Sequence, residues 1–159
     1  MAEQKTNVMR LLEQKKIKYI AHEYPHGDEA VDGVSVAKSL GQPVEKVFKT
    51  LVVRGVSNKI YVFDIPVAEE LDLKKAAKAV GEKSVAMIHV KEINELTGYV
   101  RGGCSPIGMK KQYPTVFHNS CENLDKIMVS AGKIGYQVEL APAELIKLTR
   151  AITADIITA

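Results

Sequence analysis

The most strand-like part of the chain is Val47-Phe48-Lys49-Thr50-Leu51-Val52-Val53, followed after a short gap by Ile60-Tyr61-Val62-Phe63-Asp64-Ile65. Both segments are rich in β-branched and aromatic residues, and Gly55-Val56-Ser57-Asn58 between them is typical of a slightly long turn. The pattern therefore predicts a β-hairpin. Because both faces of its first strand are apolar, the hairpin is expected to lie centrally in a sheet.

Helices and shorter strands are predicted on either side of the hairpin. Apolar spacing and capping residues predict helices at residues 6–15, 35–40, 72–81 and 90–96 and from Pro142, while β-rich runs predict strands at 18–24, 115–118, 127–130 and 136–140. Strand pairs interspersed with helices favour an α+β domain over a doubly wound parallel sheet. The 159 residues, 46% of them hydrophobic, suit one compact domain spanning residues 1–159.

The charge and cysteine content narrow the class of protein. A net charge of +3 with 26% charged residues argues against a disordered tail or a histone-like polycation and leaves an anionic partner open. Residues 1–7 carry charge where a secretory signal needs an apolar segment, and no apolar run has the length of a membrane span, so a cytoplasmic protein is expected. Cys104 and Cys121 form no CxxC pair and, with His89 and His118, fit no familiar zinc spacing. Free thiols and no metal are expected.

A glycine-rich loop is predicted at Gly98-Tyr99-Val100-Arg101-Gly102-Gly103-Cys104-Ser105-Pro106-Ile107-Gly108, which holds four of the 11 glycines. This sequence does not favour a helix or a strand. Adjacent glycines let the backbone approach a ligand closely and point N–H groups at an anion or a developing oxyanion. A tight turn at a sheet edge is the alternative interpretation.

Lys49 is the candidate functional residue of the hairpin. Strand alternation places it on the same face as Val47, Leu51 and Val53, where an unpaired ammonium is costly to bury. Such a lysine lies at a solvated edge, pairs with an acid or faces an anionic ligand. Because both faces of the strand look covered, the solvated edge is less favoured and a ligand-facing lysine becomes competitive with it. No GxSxG, HExxH or Walker motif marks a different catalytic centre.

Four segments, in this order, carry a resemblance to a known family. They are Val47-Phe-Lys-Thr-Leu, Leu71-Asp-Leu-Lys-Lys-Ala-Ala, the glycine-rich loop and Val129-Ser-Ala-Gly-Lys. With this order and spacing, over nearly its whole length, the chain resembles the YbaK family of aminoacyl-tRNA deacylases. The resemblance implies a single α+β domain, with a mixed, barrel-like sheet flanked by helices, related to the editing domain inserted in some prolyl-tRNA synthetases.

The resemblance also implies an activity. Family members remove cysteine wrongly attached to tRNA(Pro), with prolyl-tRNA synthetase as partner and without a cofactor. Such editing is needed because a pocket discriminates poorly between small side chains of similar size. The implied mechanism needs no nucleophile from the protein, since the thiol of the substrate attacks its own ester and leaves as a cyclic thiolactone. A thiol with a pKa of about 8.5 is partly ionised near neutral pH.

The resemblance and the glycine loop together give the candidate site residues. Lys49, Gly102 and Gly103 are assigned to catalysis, the glycine N–H groups as donors to the carbonyl oxygen. The substrate-binding residues are Tyr24, Thr50, Ser130 and Gln137. Well-known cysteine-specific members have an aspartate where Gln137 stands, so the amino-acid preference stays open. A glutamine cannot neutralise the α-ammonium of the substrate as a carboxylate does.

Several alternatives remain. The protein could instead deacylate alanyl- or seryl-tRNA with water as nucleophile, bind tRNA or a synthetase without turnover, or form a Schiff base through its lysine. Cys104 could be a nucleophile. Single candidate bases, namely Asp64, His26 and His118, are more often structural. Three basic residues near the loop could contact tRNA phosphates or simply be solvated: Arg101, Lys110 and Lys111. The oligomeric state is not predicted.

Overall fold

The computed structural model describes residues 5–158. The helices in this range are α1 (Asn7–Gln14), α2 (Gly33–Ser39), α3 (Leu73–Val80), α4 (Ile93–Thr97) and α5 (Pro142–Thr149), with 3-10 turns at Val90–Glu92 and Asn119–Asn123. The strands are β1 (Ile20–Glu23), β2 (Phe48–Gly55), β3 (Ile60–Pro66), β4 (Val85–Met87), β5 (Thr115–His118), β6 (Ile127–Ser130), β7 (Tyr136–Leu140) and β8 (Ile152–Ala154).

The strands form two sheets. The larger sheet has the order β4-β2-β3-β5-β8. Its β2–β3 and β2–β4 pairs are antiparallel, and its β3–β5 and β5–β8 pairs are parallel. The smaller is antiparallel with the order β1-β7-β6, and an isolated bridge between Val47 and Met128 connects the two. The α+β prediction and the interior position of the hairpin are confirmed. The expected mixed sheet is divided into two bridged parts.

The residues predicted to cap the helices are found at the helix ends. The Thr6 hydroxyl accepts a hydrogen bond from the N–H of Met9 at 3.2 Å, and the Asp72 carboxylate accepts two at the start of α3. Gly81 and Gly98 follow α3 and α4 with φ of +75° and +85°, the left-handed conformation that glycine adopts most readily. No helix within residues 5–158 has the length and hydropathy needed to cross a membrane.

Three hydrophobic clusters hold the layers together. The first joins α1 to the smaller sheet and to β5, with Leu12, Phe117 and Val138 fully buried. The second packs α3 against the hairpin, where Ala76 and Phe63 are fully buried. A third lies beneath α2 and contains Ala37, Val47, Val67 and Met128.

One edge of β2 is incompletely covered. β4 pairs with β2 only at Val53–Gly55, and the smaller sheet meets the chain just before this strand, at the bridge between Val47 and Met128. Residues 48–51 of β2 therefore have no strand partner on this side within the described chain. The segment that carries Lys49 and Thr50 is left facing a gap between the sheets.

Candidate active site

A cavity of about 400 Å³ lies in this gap. Six of the seven residues that the sequence assigned to the site line it: Tyr24, Lys49, Thr50, Gly102, Ser130 and Gln137. They come from the end of β1, from β2, from the glycine loop and from the facing ends of β6 and β7. The fold thus brings together residues that lie up to 113 positions apart in the sequence.

Lys49 contributes a cation without an ion-pair partner in the described part of the chain. Its side chain is half-buried on the cavity wall, and no hydrogen bond or ion pair to it is present among residues 5–158. Burial lowers the pKa of this ammonium, and the carboxylates of Glu70 and Glu69 oppose the shift only from a distance. An unpaired, partly desolvated cation of this kind gains most from an anionic ligand or a developing negative charge.

Thr50 is held by a carboxyl group behind the cavity wall. It stands directly opposite Asp64 in the β2–β3 pair, and its hydroxyl donates a hydrogen bond of 2.5 Å to Oδ1 of Asp64. Asp64 is fully inaccessible to solvent, and its Oδ2 has no partner within the described chain. Burial raises the pKa of Asp64 to about 8.

Gln137 and Ser130 form a polar corner of the cavity, opposite each other in the β6–β7 pair. The side-chain oxygen of Gln137 is buried without a hydrogen-bond donor from residues 5–158. The Ser130 hydroxyl accepts a bond of 3.1 Å from the N–H of Gly132. Tyr24 is 2% exposed, and its hydroxyl has no partner among the described residues. Two polar atoms of this corner are therefore available to a ligand.

The glycine loop places Gly102 on the cavity and Gly103 behind it. Gly102 has φ +87°, and a β-carbon there would lie 2.6 Å from the β-carbon of Ala30. Its N–H has no hydrogen-bond acceptor in the described chain. Gly103 does not line the cavity, and its N–H donates to the carbonyl of Val100 at 2.9 Å. The expectation that both N–H groups serve an oxyanion is corrected, because that of Gly103 closes a turn.

Gly103 has a packing role instead. A β-carbon at this position would lie 3.2 Å from the backbone of Lys133 and 3.1 Å from the nitrogen of Ile134. The absence of a side chain therefore lets the loop pass close to the turn between β6 and β7.

Cys104 lines the cavity but is chemically quiet. Burial, followed by the neighbouring charge of Asp64, raises the pKa of its thiol to about 12. Because only a thiolate is strongly nucleophilic, the arrangement argues against the covalent role that the sequence left open. Cys121 is buried and Cys104 is partly buried, and both are free thiols as predicted.

A second polar cluster lies beside the cavity and differs from it in being fully paired. Glu139 is 6% exposed, forms an ion pair with Lys46 and shares a hydrogen bond of 2.8 Å with Nε2 of His22. Burial acts to raise the pKa of Glu139, but the bonds from Lys46 and His22 outweigh it and hold this pKa below its usual range. Glu139 does not line the cavity and cannot supply the carboxylate that Gln137 lacks.

Sequence reasoning missed two parts of the site. Asp64 stands in the sequence only as an isolated candidate base, since no pattern indicates that its carboxyl contacts Thr50. The other part is an apolar wall formed by the end of β4, the turn after it and the start of α4: Met87, Ile88, Val90 and Ile93. Met87 and Val90 are 46% and 56% exposed at the mouth. Exposed apolar side chains indicate a contact surface when they lie together at the mouth of a cavity, and the sequence does not show that they do.

The basic residues near the loop have different surroundings. Arg101 is exposed and lines the cavity. The Lys110 ammonium donates to the carbonyl of Glu95 at 3.3 Å, and that of Lys111 lies 6.0 Å from the ring centre of Tyr113. Among the described residues, no group of three or more His, Cys, Asp or Glu side chains is arranged to hold a metal ion.

Comparison with known proteins places this geometry in a family. A model of the aminoacyl-tRNA editing domain matches residues 28–148. A protein of Enterococcus faecalis named "Putative Cys-tRNA(Pro)/Cys-tRNA(Cys) deacylase EbsC" is 48% identical, over 98% of this chain and 95% of its own length.

Solved structures agree on the fold. The crystal structure of "a putative trans-editing enzyme for prolyl tRNA synthetase" has a TM-score of 0.82 and 25% identity, covering 99% of this chain and all of the other. The structure of a hypothetical protein has a TM-score of 0.85 at 23% identity, covering 96% of this chain and 100% of the other. The described fold is therefore the fold of these proteins.

Proposed function

Because the chain belongs to the aminoacyl-tRNA editing domain family, we propose that its cavity binds the 3′ end of a mischarged tRNA and cleaves the aminoacyl ester. The observation that carries this proposal is the unpaired ammonium of Lys49 on the same cavity as the free N–H of Gly102, as far as residues 5–158 show. Donors of this kind stabilise the negative charge that develops on an ester carbonyl. The volume of about 400 Å³ suits a small aminoacyl group with part of its ribose.

The proposed substrate is cysteine attached to tRNA(Pro). The sulfur of the substrate attacks the carbonyl carbon, the bond from that carbon to the ribose oxygen breaks, and the ribose hydroxyl leaves with the thiol proton. The amino acid is released as a cyclic thioester. This route suits a cavity whose own thiol, that of Cys104, stays protonated and therefore offers no competing nucleophile.

The remaining residues orient the substrate. We assign the side-chain oxygen of Gln137 to the α-ammonium, because it is a buried acceptor without a donor in the described chain. Tyr24 and Ser130 enclose the same end of the cavity. Exposed Arg101 at the cavity is assigned to a phosphate of the tRNA end. The small surface of this chain limits what it reads of the tRNA, so prolyl-tRNA synthetase is the proposed partner in substrate selection.

The alternative substrates are alanyl- and seryl-tRNA, which carry the same α-ammonium as cysteinyl-tRNA. Gln137 is uncharged, so the cavity corner binds the α-ammonium without an ion pair. The same corner would accept alanine or serine, with water rather than a substrate thiol as the nucleophile. The two mechanisms differ in whether the substrate must carry a thiol.

The test compares tRNA(Pro) charged with cysteine, serine or alanine under single-turnover conditions. Serine is the matched control because it replaces the sulfur of cysteine with oxygen and keeps the size nearly constant. We expect cysteine to be released at least about a hundredfold faster than serine, which corresponds to about 2.7 kcal/mol of barrier. Equal release of cysteine and serine would contradict thiol assistance. Release of none of the three would contradict the proposed function.

A further inference from the structure

The contact between Thr50 and Asp64 has no part in the function proposed so far, and the inference drawn from it rests on that function. The two residues stand opposite each other on β2 and β3, and Thr50 lines the cavity while Asp64 is wholly inaccessible behind it. A carboxyl group in such a position is unusual, because burying it without a full set of partners is costly.

The carboxyl of Asp64 is only half satisfied. Its Oδ1 accepts the 2.5 Å hydrogen bond from Thr50, and its Oδ2 has no partner among the described residues. No lysine, arginine or histidine forms an ion pair with it within residues 5–158. The ionisable neighbours that sense its charge are the thiols of Cys104 and Cys121, which are neutral. In this part of the chain, the Thr50 hydroxyl is therefore its one polar tether.

Burial raises the pKa of Asp64 to about 8, so that the group is mainly uncharged at neutral pH. The bond from Thr50 opposes this rise. Two residues of a purely structural strand pair would be replaced at lower cost by apolar side chains of similar shape. What the polar pair adds is a fixed direction for the hydroxyl on the cavity side.

A threonine hydroxyl has one proton and two lone pairs. Once the proton is directed at Asp64, the oxygen of Thr50 presents only lone pairs to the cavity. It then accepts a hydrogen bond from a ligand and cannot donate one. The strongest donor in an aminoacyl end is the α-ammonium, whose three N–H groups need acceptors in addition to the oxygen of Gln137.

We propose that Asp64 is a positioning residue that fixes the Thr50 hydroxyl as an acceptor for the α-ammonium group of the aminoacyl substrate. Asp64 itself touches no substrate atom. The role predicts that removing Asp64 weakens substrate binding less than removing the Thr50 hydroxyl, because the freed hydroxyl still accepts in some of its rotamers, and that removing Asp64 costs nothing further once that hydroxyl is gone.

The experiment is a double-mutant cycle on the deacylation of Cys-tRNA(Pro), with KM and kcat measured separately. Thr50→Val is expected to raise KM about tenfold, Asp64→Ala to raise it about fivefold, and the double variant to match Thr50→Val. The value of kcat changes less than about threefold. Asp64→Asn restores KM to within about threefold of the wild type, because its amide oxygen accepts the same proton. Thr115→Val is the matched control. The Thr115 hydroxyl donates a hydrogen bond of 3.0 Å to the carbonyl of Tyr113, and Thr115 does not line the cavity.

A structural role for Asp64 gives different results. If Asp64→Ala raises KM by the same factor in the Thr50→Val background as in the wild type, the two residues act independently and the inference is wrong. The inference is also wrong if Asp64→Asn is as impaired as Asp64→Ala.

A titration of the Asp64 carboxyl by carbon-13 NMR tests the pair without any tRNA, and it remains informative if Asp64→Ala does not fold. We expect a midpoint well above the usual carboxyl range, and a higher one in Thr50→Val, because a bond that lowers it is lost. An ordinary midpoint, or one that Thr50→Val leaves unchanged, overturns the inference. A wild-type protein that releases no amino acid contradicts the proposed function and with it the ligand assigned to Thr50. An active enzyme with an uncoupled pair contradicts the inference alone.

Discussion

Asp64 and Glu139 are both nearly inaccessible carboxyl groups, but their surroundings shift their pKa values in opposite directions. Glu139 accepts from Lys46 and His22, which together hold its pKa below the usual range against the effect of burial. Asp64 has one neutral donor among the described residues, Thr50, and burial raises its pKa to about 8. Glu139 therefore belongs to a closed polar cluster, whereas one carboxyl oxygen of Asp64 has no partner within residues 5–158.

The two lysines of this part of the chain differ in the same way. Lys46 is paired with Glu139, while Lys49, three residues later, has no partner within the described chain. The side-chain oxygen of Gln137 and the N–H of Gly102 are also unpaired there. The polar cluster around Glu139 is therefore satisfied by the protein, and the polar groups around the cavity are left for a ligand. This difference supports the proposed site independently of any resemblance.

Lys49→Ala gives the largest expected effect. Removing the unpaired ammonium lowers kcat/KM for Cys-tRNA(Pro) at least about a hundredfold, because a charged donor to the reacting ester is lost. Lys78→Ala, which removes an exposed lysine of α3, is the control and leaves kcat/KM unchanged. An enzyme that keeps its activity after Lys49→Ala would remove this lysine from the site.

Gly102→Ala separates the ligand-facing glycine from an ordinary loop glycine. The substitution strains a backbone with φ +87° and places a β-carbon 2.6 Å from that of Ala30, so deacylation falls at least about tenfold. Gly27→Ala is the matched change, since nothing lies within 4 Å of its added β-carbon. Equal losses for the two variants would show that the effect is not specific to the cavity loop.

Asp64→Asn tests the uncharged state of the buried carboxyl through stability. Because the folded-state pKa is raised, the stability associated with the neutral group is fully present below the ordinary carboxyl pKa and is lost as pH rises towards about 8. The asparagine side chain does not ionise, so the Asp64→Asn variant does not lose stability in this way as pH rises. Its free energy of unfolding, relative to the wild type, therefore rises by about 1.4 kcal/mol per pH unit between about pH 5 and 7. Urea unfolding at several pH values measures the difference, and a constant difference contradicts the assignment.

Lys46→Met is expected to affect stability and leave catalysis intact. The ion pair with Glu139 is lost while the side chain keeps its length, and His22 still donates to the carboxylate. We expect the free energy of unfolding to fall by about 1 to 2 kcal/mol, with kcat/KM within about threefold of the wild type. A loss of activity as large as that of Lys49→Ala would erase the distinction between the two regions.

Cys104→Ala has the smallest expected effect. The thiol is held neutral, with its pKa raised to about 12, and takes no part in the proposed reaction. Single-turnover release of cysteine is expected to stay within about twofold of the wild type. A large loss in a variant that unfolds at the same temperature would favour a covalent intermediate on this sulfur.

The elements with strong local signals could be predicted from the sequence. The hairpin, the capped helix α3 and the loop of Gly98–Gly108 all depend on residue types whose backbone preferences are strong. β4 and β8 escape prediction, because each is three residues long and is a strand only through its pairing with β2 or β5. Such pairing is decided by tertiary contacts.

The sequence predicts those site residues whose type is unusual for the local pattern in which they stand. A lysine in an apolar strand and two adjacent glycines stand out in a sequence. The carboxyl of Asp64 does not, because its burial depends on the β2–β3 register and on the layers that cover the hairpin. The N–H of Gly103 was assigned wrongly for a similar reason, since the turn that engages it closes onto Val100.

The most direct test of the central claim is an NMR titration of the wild-type protein with a stable analogue, 3′-cysteinylamido-3′-deoxyadenosine. The account predicts that the backbone amide of Gly102 and the side-chain signals of Lys49 and Gln137 shift with one common dissociation constant, while the His22 ring signals stay fixed. Shifts at His22 and Lys46, with the cavity signals unmoved, would contradict it.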